Sequence, residues 1–255
     1  MGVIRKMGVA KLTMCAFYFP QRRFKVGGMK DPTRIDDVLH ALRRTWAGQP
    51  DLSLPTLMAM AATQGIGWGS SDEELMDYLT DIATQYPPEL SPGDITAGEG
   101  FMLSLLDKTM RISLIDAHVI VRNGPGHPTV VWEYDTFRTT GPGFPVVITD
   151  TSGIDHRLGV TERITRLDTQ EKRESLQGLS RADIGDIVYV IVTDDGRTIA
   201  LSRRLEVASA QRRSLDVQTY QWTRVIQHAP LVIELAGGEH MDLGTPAKVL
   251  LAATS

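Results

Sequence analysis

Pro145-Val-Val-Ile-Thr-Asp-Thr-Ser-Gly-Ile-Asp-His-Arg-Leu-Gly-Val160 and Pro230-Leu-Val-Ile-Glu-Leu-Ala-Gly-Gly-Glu-His-Met-Asp-Leu-Gly-Thr245 align without a gap at an offset of 85 residues. Pro, Val, Ile, Gly, Leu and Gly coincide, so the second half of the chain reads as a duplicated β unit. Hairpin signals repeat at nearly the same distance. Phe101 to Leu106 and Met110 to Ile115 flank Asp107-Lys108-Thr109, while Val188 to Thr193 and Arg197 to Leu201 flank Asp194-Asp195-Gly196. Asp-Gly is the stronger signal, because it suits the positive-φ turns of tight hairpins. Each hairpin is followed by another strand, then by an aromatic strand with Trp132, Tyr134 and Phe137 or with Tyr220 and Trp222, then by the matched segment.

Short antiparallel strands in that number predict two small barrel-like units, PH-like or SH3-like by analogy, at residues 101–167 and 185–255. Asp168 to Leu179, polar and carrying Lys172 and Arg173, is expected to form a helix within a connecting stretch, 168–184.

Upstream, residues 29–87 carry a helical pattern. Ile35, Val38, Leu39, Leu42 and Trp46 recur at three- and four-residue steps and predict one inward face. A second helix is expected from Ser53 to Thr63 with Leu54, Leu57, Met58 and Ala61 inward. A third is expected from Ser71 to Gln85, opened by the capping box of Ser71 and Glu74. Short amphipathic helices bury their faces against one another, so a three-helix bundle is the expectation. Pro87-Pro88 and Ser91-Pro92-Gly93 punctuate its end, and residues 88–100 read as a linker. The fold class is therefore α+β.

Arg34-Ile35-Asp36-Asp37-Val38, Leu42, Trp46, Gln49-Pro50-Asp51-Leu52-Ser53-Leu54, Leu57, Leu75 and Leu79 together resemble the YihD-like family of small bacterial proteins. The resemblance covers residues 30–85. It implies a short helical region of bacterial origin and no established activity, so it brings no catalytic residue. The chain departs from the family by Gly65-Ile66-Gly67-Trp68-Gly69 ahead of the third helix and by the whole β region.

Composition narrows the function classes. The chain has 255 residues, 42% hydrophobic and 23% charged, enough for two or three small cores. Its net charge of -4 gives no bulk attraction to nucleic acid or to an anionic membrane. A lone cysteine, Cys15, provides no intramolecular disulfide and fits a reducing cytoplasm. Residues 1–28 carry only basic charges, at Arg5, Lys6, Lys11, Arg22, Arg23 and Lys25, and are expected to be a disordered extension. Lys11 interrupts their apolar run, and Met14 stands where a lipoprotein cleavage site needs a small residue, so neither an export signal nor a membrane partner is expected.

Catalytic patterns are sparse. Asp155-His156 and Glu239-His240 look like a duplicated pair, yet the alignment sets His156 opposite Met241 and His240 opposite Asp155, on opposite strand faces. His118, His127 and His228 complete the histidines of the β region, and none falls in a metal-binding or nucleophile-activating spacing. Gly65, Gly67 and Gly69 lack a preceding strand and a following lysine, and Asp72, Glu73 and Glu74 occupy the helix start, so a structural turn with Trp68 as a packing lid is expected. No catalytic residue, cofactor or metal site is assigned.

The expected binding surface is the arginine-rich second unit: Arg203, Arg204, Arg212 and Arg213, with Tyr220 and Trp222 as stacking aromatics and Arg197 and Arg224 nearby. The competing expectation is that these arginines pair with the acidic helical region, whose residues 30–90 hold ten carboxylates against four basic residues. The functional expectation is a non-catalytic cytoplasmic binding or adaptor module with a protein partner. Nucleic-acid binding through the arginines, and an enzyme with a site between the two β units, are the alternatives.

Overall fold

The computed structural model describes residues 31–254 apart from 97, 107–108, 125–126 and 211–214; the basic extension, and Arg212 and Arg213 of the expected surface, lie outside the described residues. Among the described residues three helices come first: α1 (Arg34–Gly48), α2 (Leu54–Thr63) and α3 (Asp72–Gln85). The capping box forms as read, with Ser71 Oγ accepting from Glu74 N at 3.2 Å and Glu74 accepting from Ser71 N at 3.0 Å. Ser53 caps α2 through its side chain alone, accepting from Thr56 N at 3.3 Å, and Pro55 sits in the first turn, where its missing N–H costs nothing.

The inward face of α1 differs from the expected stripe. Ile35, Leu39 and Trp46 are 50%, 55% and 38% exposed, whereas Thr45 and Gly48 are buried. Val38, Ala41, Thr45 and Gly48 form an adjacent stripe at helical spacing, and its small residues let α3 approach closely. Thr45 Oγ1 lies 2.9 Å from Ala41 O and 2.7 Å from Leu79 O, which satisfies a buried hydroxyl on both helices. A Cβ at Gly48 would lie 2.0 Å from the Tyr86 carbonyl oxygen. Arg34 Nε donates to Asp72 at 2.5 Å, so α1 and α3 start side by side and run parallel.

Six antiparallel strands follow and close into a barrel: β1 (Gly100–Leu105), β2 (Arg111–Ile115), β3 (His118–Arg122), β4 (Val130–Phe137), β5 (Pro145–Asp150) and β6 (Asp155–Arg166). The first half of β4 pairs with β3 and the second half with β5, and β6 pairs with both β5 and β1. Phe101, Leu103, Leu105, Ile112, Leu114, Val119, Val121, Phe137, Val146, Ile148 and Ile164 fill it. Asp116 and Ala117 turn β2 into β3 with φ of 48° and 60°, a left-handed pair formed without glycine. Residues 88–100 are not a free linker: Leu90 exchanges backbone hydrogen bonds with Thr140 at 2.8 and 3.0 Å, and its side chain is fully buried in the barrel core.

The second β unit comprises β7 (Val188–Thr193), β8 (Thr198–Leu201), β9 (Leu205–Ala210), β10 (Leu215–Tyr220), β11 (Trp222–Gln227), β12 (Val232–Leu235), β13 (His240–Asp242) and β14 (Pro246–Ala253). They form a five-stranded sheet, β10-β9-β8-β7-β14, and a three-stranded sheet, β11-β12-β13. This is the pairing order of β1 to β6 with two breaks: the fourth strand is interrupted at Gln221, the sixth between Asp242 and Pro246. The expectation of two like barrels thus meets one closed barrel and one pair of sheets.

The connecting helix expected within 168–184 is absent. A single 3-10 turn, Thr169–Glu171, is followed by a chain that runs along β11. Gly178 N donates to Val225 O, Val225 N to Leu179 O and Arg181 N to Thr223 O, at 2.9, 2.9 and 2.8 Å. Leu176, Leu179 and Ile184, spaced by three and five residues, plug the second core from this irregular path, and Gly178 takes φ of 78° to allow it. Leu179-Ser180-Arg181-Ala182-Asp183-Ile184 thereby plays the part of Leu90-Ser91-Pro92-Gly93-Asp94-Ile95, since each leucine is buried and each Asp N–H returns to its Ser carbonyl. The two β units also share side chains. Ile115 and Ile120 leave the barrel's outer face for the second core, and Ser113 Oγ donates to Ala252 O at 2.6 Å. Among the described residues no helix is long and apolar enough to cross a membrane.

Gly48→Ala is expected to destabilise the protein by about 1–3 kcal/mol through overpacking against Tyr86. Gly67→Ala, whose Cβ would meet nothing within 4 Å, is expected to stay within about 0.5 kcal/mol. Urea unfolding of the two variants beside the parent checks both.

Candidate functional site

Of the expected arginine-rich surface, Arg203, Arg204, Tyr220 and Trp222 are described, and they do not make a stacking platform. Trp222 is fully buried at the centre of the second core, where its Nε1 donates to Ser202 O at 2.7 Å. It presents no ring face to a base. Tyr220 is half-buried against the same core and donates its hydroxyl to Gln218. Arg203 pairs with Asp186 at 3.2 Å, Arg197 with Asp195 at 2.7 Å and Arg224 with Glu234 at 2.7 Å. Arg204 is exposed and has no side-chain partner among the described residues. Arg197, Arg203 and Arg224 are answered by carboxylates of their own unit, because each carboxylate lies on the same or the neighbouring turn or strand. They do not reach the acidic helices, which pack instead on the first barrel, with Arg163 of β6 lying 5.8 Å from the Tyr86 ring centroid.

Two histidine clusters form in the β region. His118 Nδ1 meets Asp116 O at 2.5 Å, which assigns the proton to Nδ1 and leaves Nε2 to accept from Lys248 Nζ at 2.7 Å. Lys248 also binds Glu133 at 2.8 Å, and this hydrogen bond holds the Glu133 carboxyl below its ordinary range. His118 and Glu133 come from the first unit and Lys248 from the second, so groups do converge between the units. None of the described cavities is lined by any of the three. The lysine charge is neutralised in place, and the cluster ties β14 to β3 and β4. In the second cluster His156 Nε2 lies 2.8 Å from Asp150, with the Trp132 ring 5.4 Å from the imidazole. His240 stands exposed on β13, apart from His156. Among the described residues no group of three or more His, Cys, Asp and Glu side chains is placed to hold a metal ion.

The concave site lies where sequence reading placed nothing. A cleft of about 860 Å³ opens between α1, α3 and the barrel. Met76, Leu79, Leu90 and Phe101 give it an apolar floor, and Asp37, His40 and Arg44 line it from α1. Those three recur at three and four residues, on the side of the helix opposite the exposed stripe Ile35, Leu39 and Trp46. None of them has an ion-pair or hydrogen-bond partner among the described residues. Across the cleft Arg166 at the end of β6 pairs with Glu99, which also accepts from Thr96 Oγ1 at 2.6 Å. The Thr96 hydroxyl first, and the Arg166 charge after it, pull the Glu99 carboxyl below its ordinary value. The signal that could have found this wall is the polar Asp37/His40/Arg44 stripe, which helical periodicity sets against the apolar one. The opposing wall comes from β6, which sequence alone does not bring near α1.

Trp68 corrects another expectation. Its side chain is fully exposed, at the tip of a turn in which Gly65 and Gly69 take φ of 84° and 97°. It lids nothing among the described residues.

No protein-family model matches this chain, and neither a curated protein nor a solved structure matches it.

Trp222→Ala is expected to cost about 3–5 kcal/mol of stability, as for a fully buried large aromatic, whereas Arg204→Ala is expected to change it by less than about 0.5 kcal/mol; thermal or urea unfolding separates the two. The depressed Glu99 value makes its contribution to stability fully present above the ordinary 4.5 and lost as pH falls through the lower folded value. Thr96→Ala should therefore flatten the stability profile from pH 4.5 downwards and leave it unchanged in slope near neutrality, read from urea midpoints across an acid pH series.

Proposed function

We propose that this protein is a non-catalytic binding or adaptor module, and that the cleft between α1, α3 and the barrel receives a segment of a protein partner. The observation that carries the reading is the α1 wall: Asp37, His40 and Arg44 stand unpaired over an apolar floor. Charged groups left without partners above apolar surface suit a site completed by a ligand, since burial inside a finished interface would have demanded pairing. A volume of about 860 Å³ accommodates a few residues of an extended peptide. Mixed charge on the walls favours a segment that alternates apolar with charged side chains over a uniformly charged polymer.

The two β units are read as copies of one ancestral unit. Support comes from the gap-free match at 145–160 and 230–245, the common strand-pairing order, and the Leu-Ser-x-x-Asp-Ile lead-in at Leu90 and Leu179. In this reading the first copy closed and became the seat of the helices, while the second opened into two sheets and serves as its brace. The resemblance of residues 30–85 to the YihD-like family remains part of the proposal for the helical region alone.

Selection from a displayed library of short random peptides against the full chain tests the reading. Selected peptides should bind saturably and lose at least tenfold in affinity with Thr84→Trp, which places an indole in the cleft from an exposed position, and with Arg44→Glu. Peptides insensitive to both variants, or a selection that yields no saturable binder, would overturn it.

A further inference from the structure

The open stripe of α1 has the spacing of a coiled-coil seam. Ile35, Leu39, Leu42 and Trp46 are separated by four, three and four residues, the alternation of d and a positions in a heptad. Ile35, Leu39 and Trp46 are 50%, 55% and 38% exposed and Leu42 is half-buried, so the seam is built and left without a partner among the described residues. A pocket of about 570 Å³ runs beside it, lined by Leu39, Leu42, Arg43, Trp46, Ala47 and Pro50. The Trp46 ring is fixed in place, because its Nε1 donates to Leu52 O at 2.7 Å. A large aromatic held in one rotamer loses little entropy on binding, which is the property of an interface anchor.

Charge selects the occupant. In this register Asp36 and Arg43 occupy the e positions on the exposed flank of the seam, and neither has an ion-pair partner among the described residues. The other flank, with Val38 and Thr45, is turned to α3. An antiparallel partner of identical sequence sets Leu39 against Leu42 and Ile35 against Trp46 in four layers. The same register brings each Asp36 to the partner's Arg43 on the only flank still open. A parallel pair would set Asp36 and Arg43 against the flank already packed on α3, where no charge answers them. The pattern is self-complementary about a two-fold axis, as an isologous interface requires.

We propose that the protein forms a homodimer through antiparallel pairing of α1 with α1 of a second copy. One helix pair is a small interface, at the low end of the size range for specific complexes, so the dimer is a dissociable one of micromolar strength. The cleft lies on the opposite side of α1 and stays open in this arrangement, so the dimer carries two clefts. The proposal does not depend on what occupies them.

Sedimentation equilibrium of the full chain tests it, with a monomer mass of 28.1 kDa as reference. The weight-average mass is expected to rise towards twice that value between about 1 and 100 μM. Leu39→Asp, at an exposed position that leaves the fold intact, should hold the protein at the monomer mass throughout. Asp36→Arg alone and Arg43→Asp alone should each weaken association at least tenfold, and the double variant Asp36→Arg with Arg43→Asp should restore it, because the charges exchange places across the axis. Circular dichroism of each variant confirms that the helices persist. A parent chain that stays monomeric at 100 μM overturns the proposal, whether another segment covers the seam or nothing does. A dimer that survives Leu39→Asp overturns it by placing the interface elsewhere, and failure of the double variant to restore association overturns the antiparallel register.

Discussion

Strands β2 and β3 are buried on both faces, and the arrangement of the β region depends on that constraint. Ile112, Leu114, Val119 and Val121 point into the closed barrel, while Ser113, Ile115 and Ile120 point out and are covered by the second unit. A strand covered on one side only would alternate apolar with polar; these two read as near-continuous apolar runs because both sides need filling. The outward row is also where the polar ties concentrate. Ala252 O accepts from Ser113 and from Arg122, and Lys248 reaches His118 and Glu133. Burial pulls the Arg122 guanidinium down to about 10, with the Arg111 charge opposite it as the second cause. The Glu206 charge opposes that shift only in part, and holding the cation there is a cost that the large shared apolar area offsets.

The helices solve a different packing problem with small residues. Thr45 and Gly48 let α1 lie against α3 and the Tyr86 backbone, and this rotates the larger apolar side chains of α1 out of the contact. One helix consequently offers three faces: a small-residue face against α3, a polar face over the cleft, and an apolar seam in water. A helix used on three sides is typical of an element that joins surfaces rather than one that only fills a core. The cleft and the seam therefore follow from one choice of contact residues.

Several charges of the β region are met close by. Arg197, Arg203 and Arg224 each meet a carboxylate close by, His156 meets Asp150 and Arg138 meets Asp155 at 2.8 Å. Exposed pairs of this kind contribute little to stability, yet they remove the excess positive potential that a polyanion would need. Along α1, by contrast, Asp36, Asp37, His40, Arg43 and Arg44 have no ion-pair partner among the described residues. That distinguishes α1 from the paired arginines of the second β unit.

The three helices and the leading hairpin of each β unit were legible from local chemistry alone, whereas the helix expected within 168–184 was not formed. Ser71 with Glu74 opened α3, Asp194-Asp195-Gly196 turned β7 into β8, and the segments 145–160 and 230–245 each hold a strand, a turn and a second strand, because caps, turns and period-two patterns are properties of neighbouring residues. Even the lead-in at Leu90 and Leu179 was written in the sequence, although its short Leu-Ser-x-x-Asp-Ile signature is easily read as a linker or a helix. Decided only in three dimensions were the face of α1 that turns inward, the burial of Trp222, the breaks that open the second unit, and the cleft between α1, α3 and β6. Each depends on a contact between residues far apart in the chain, Gly48 with Tyr86, Trp222 with Ser202, β14 with β7, and periodicity along one segment carries no information about which distant surface will meet it.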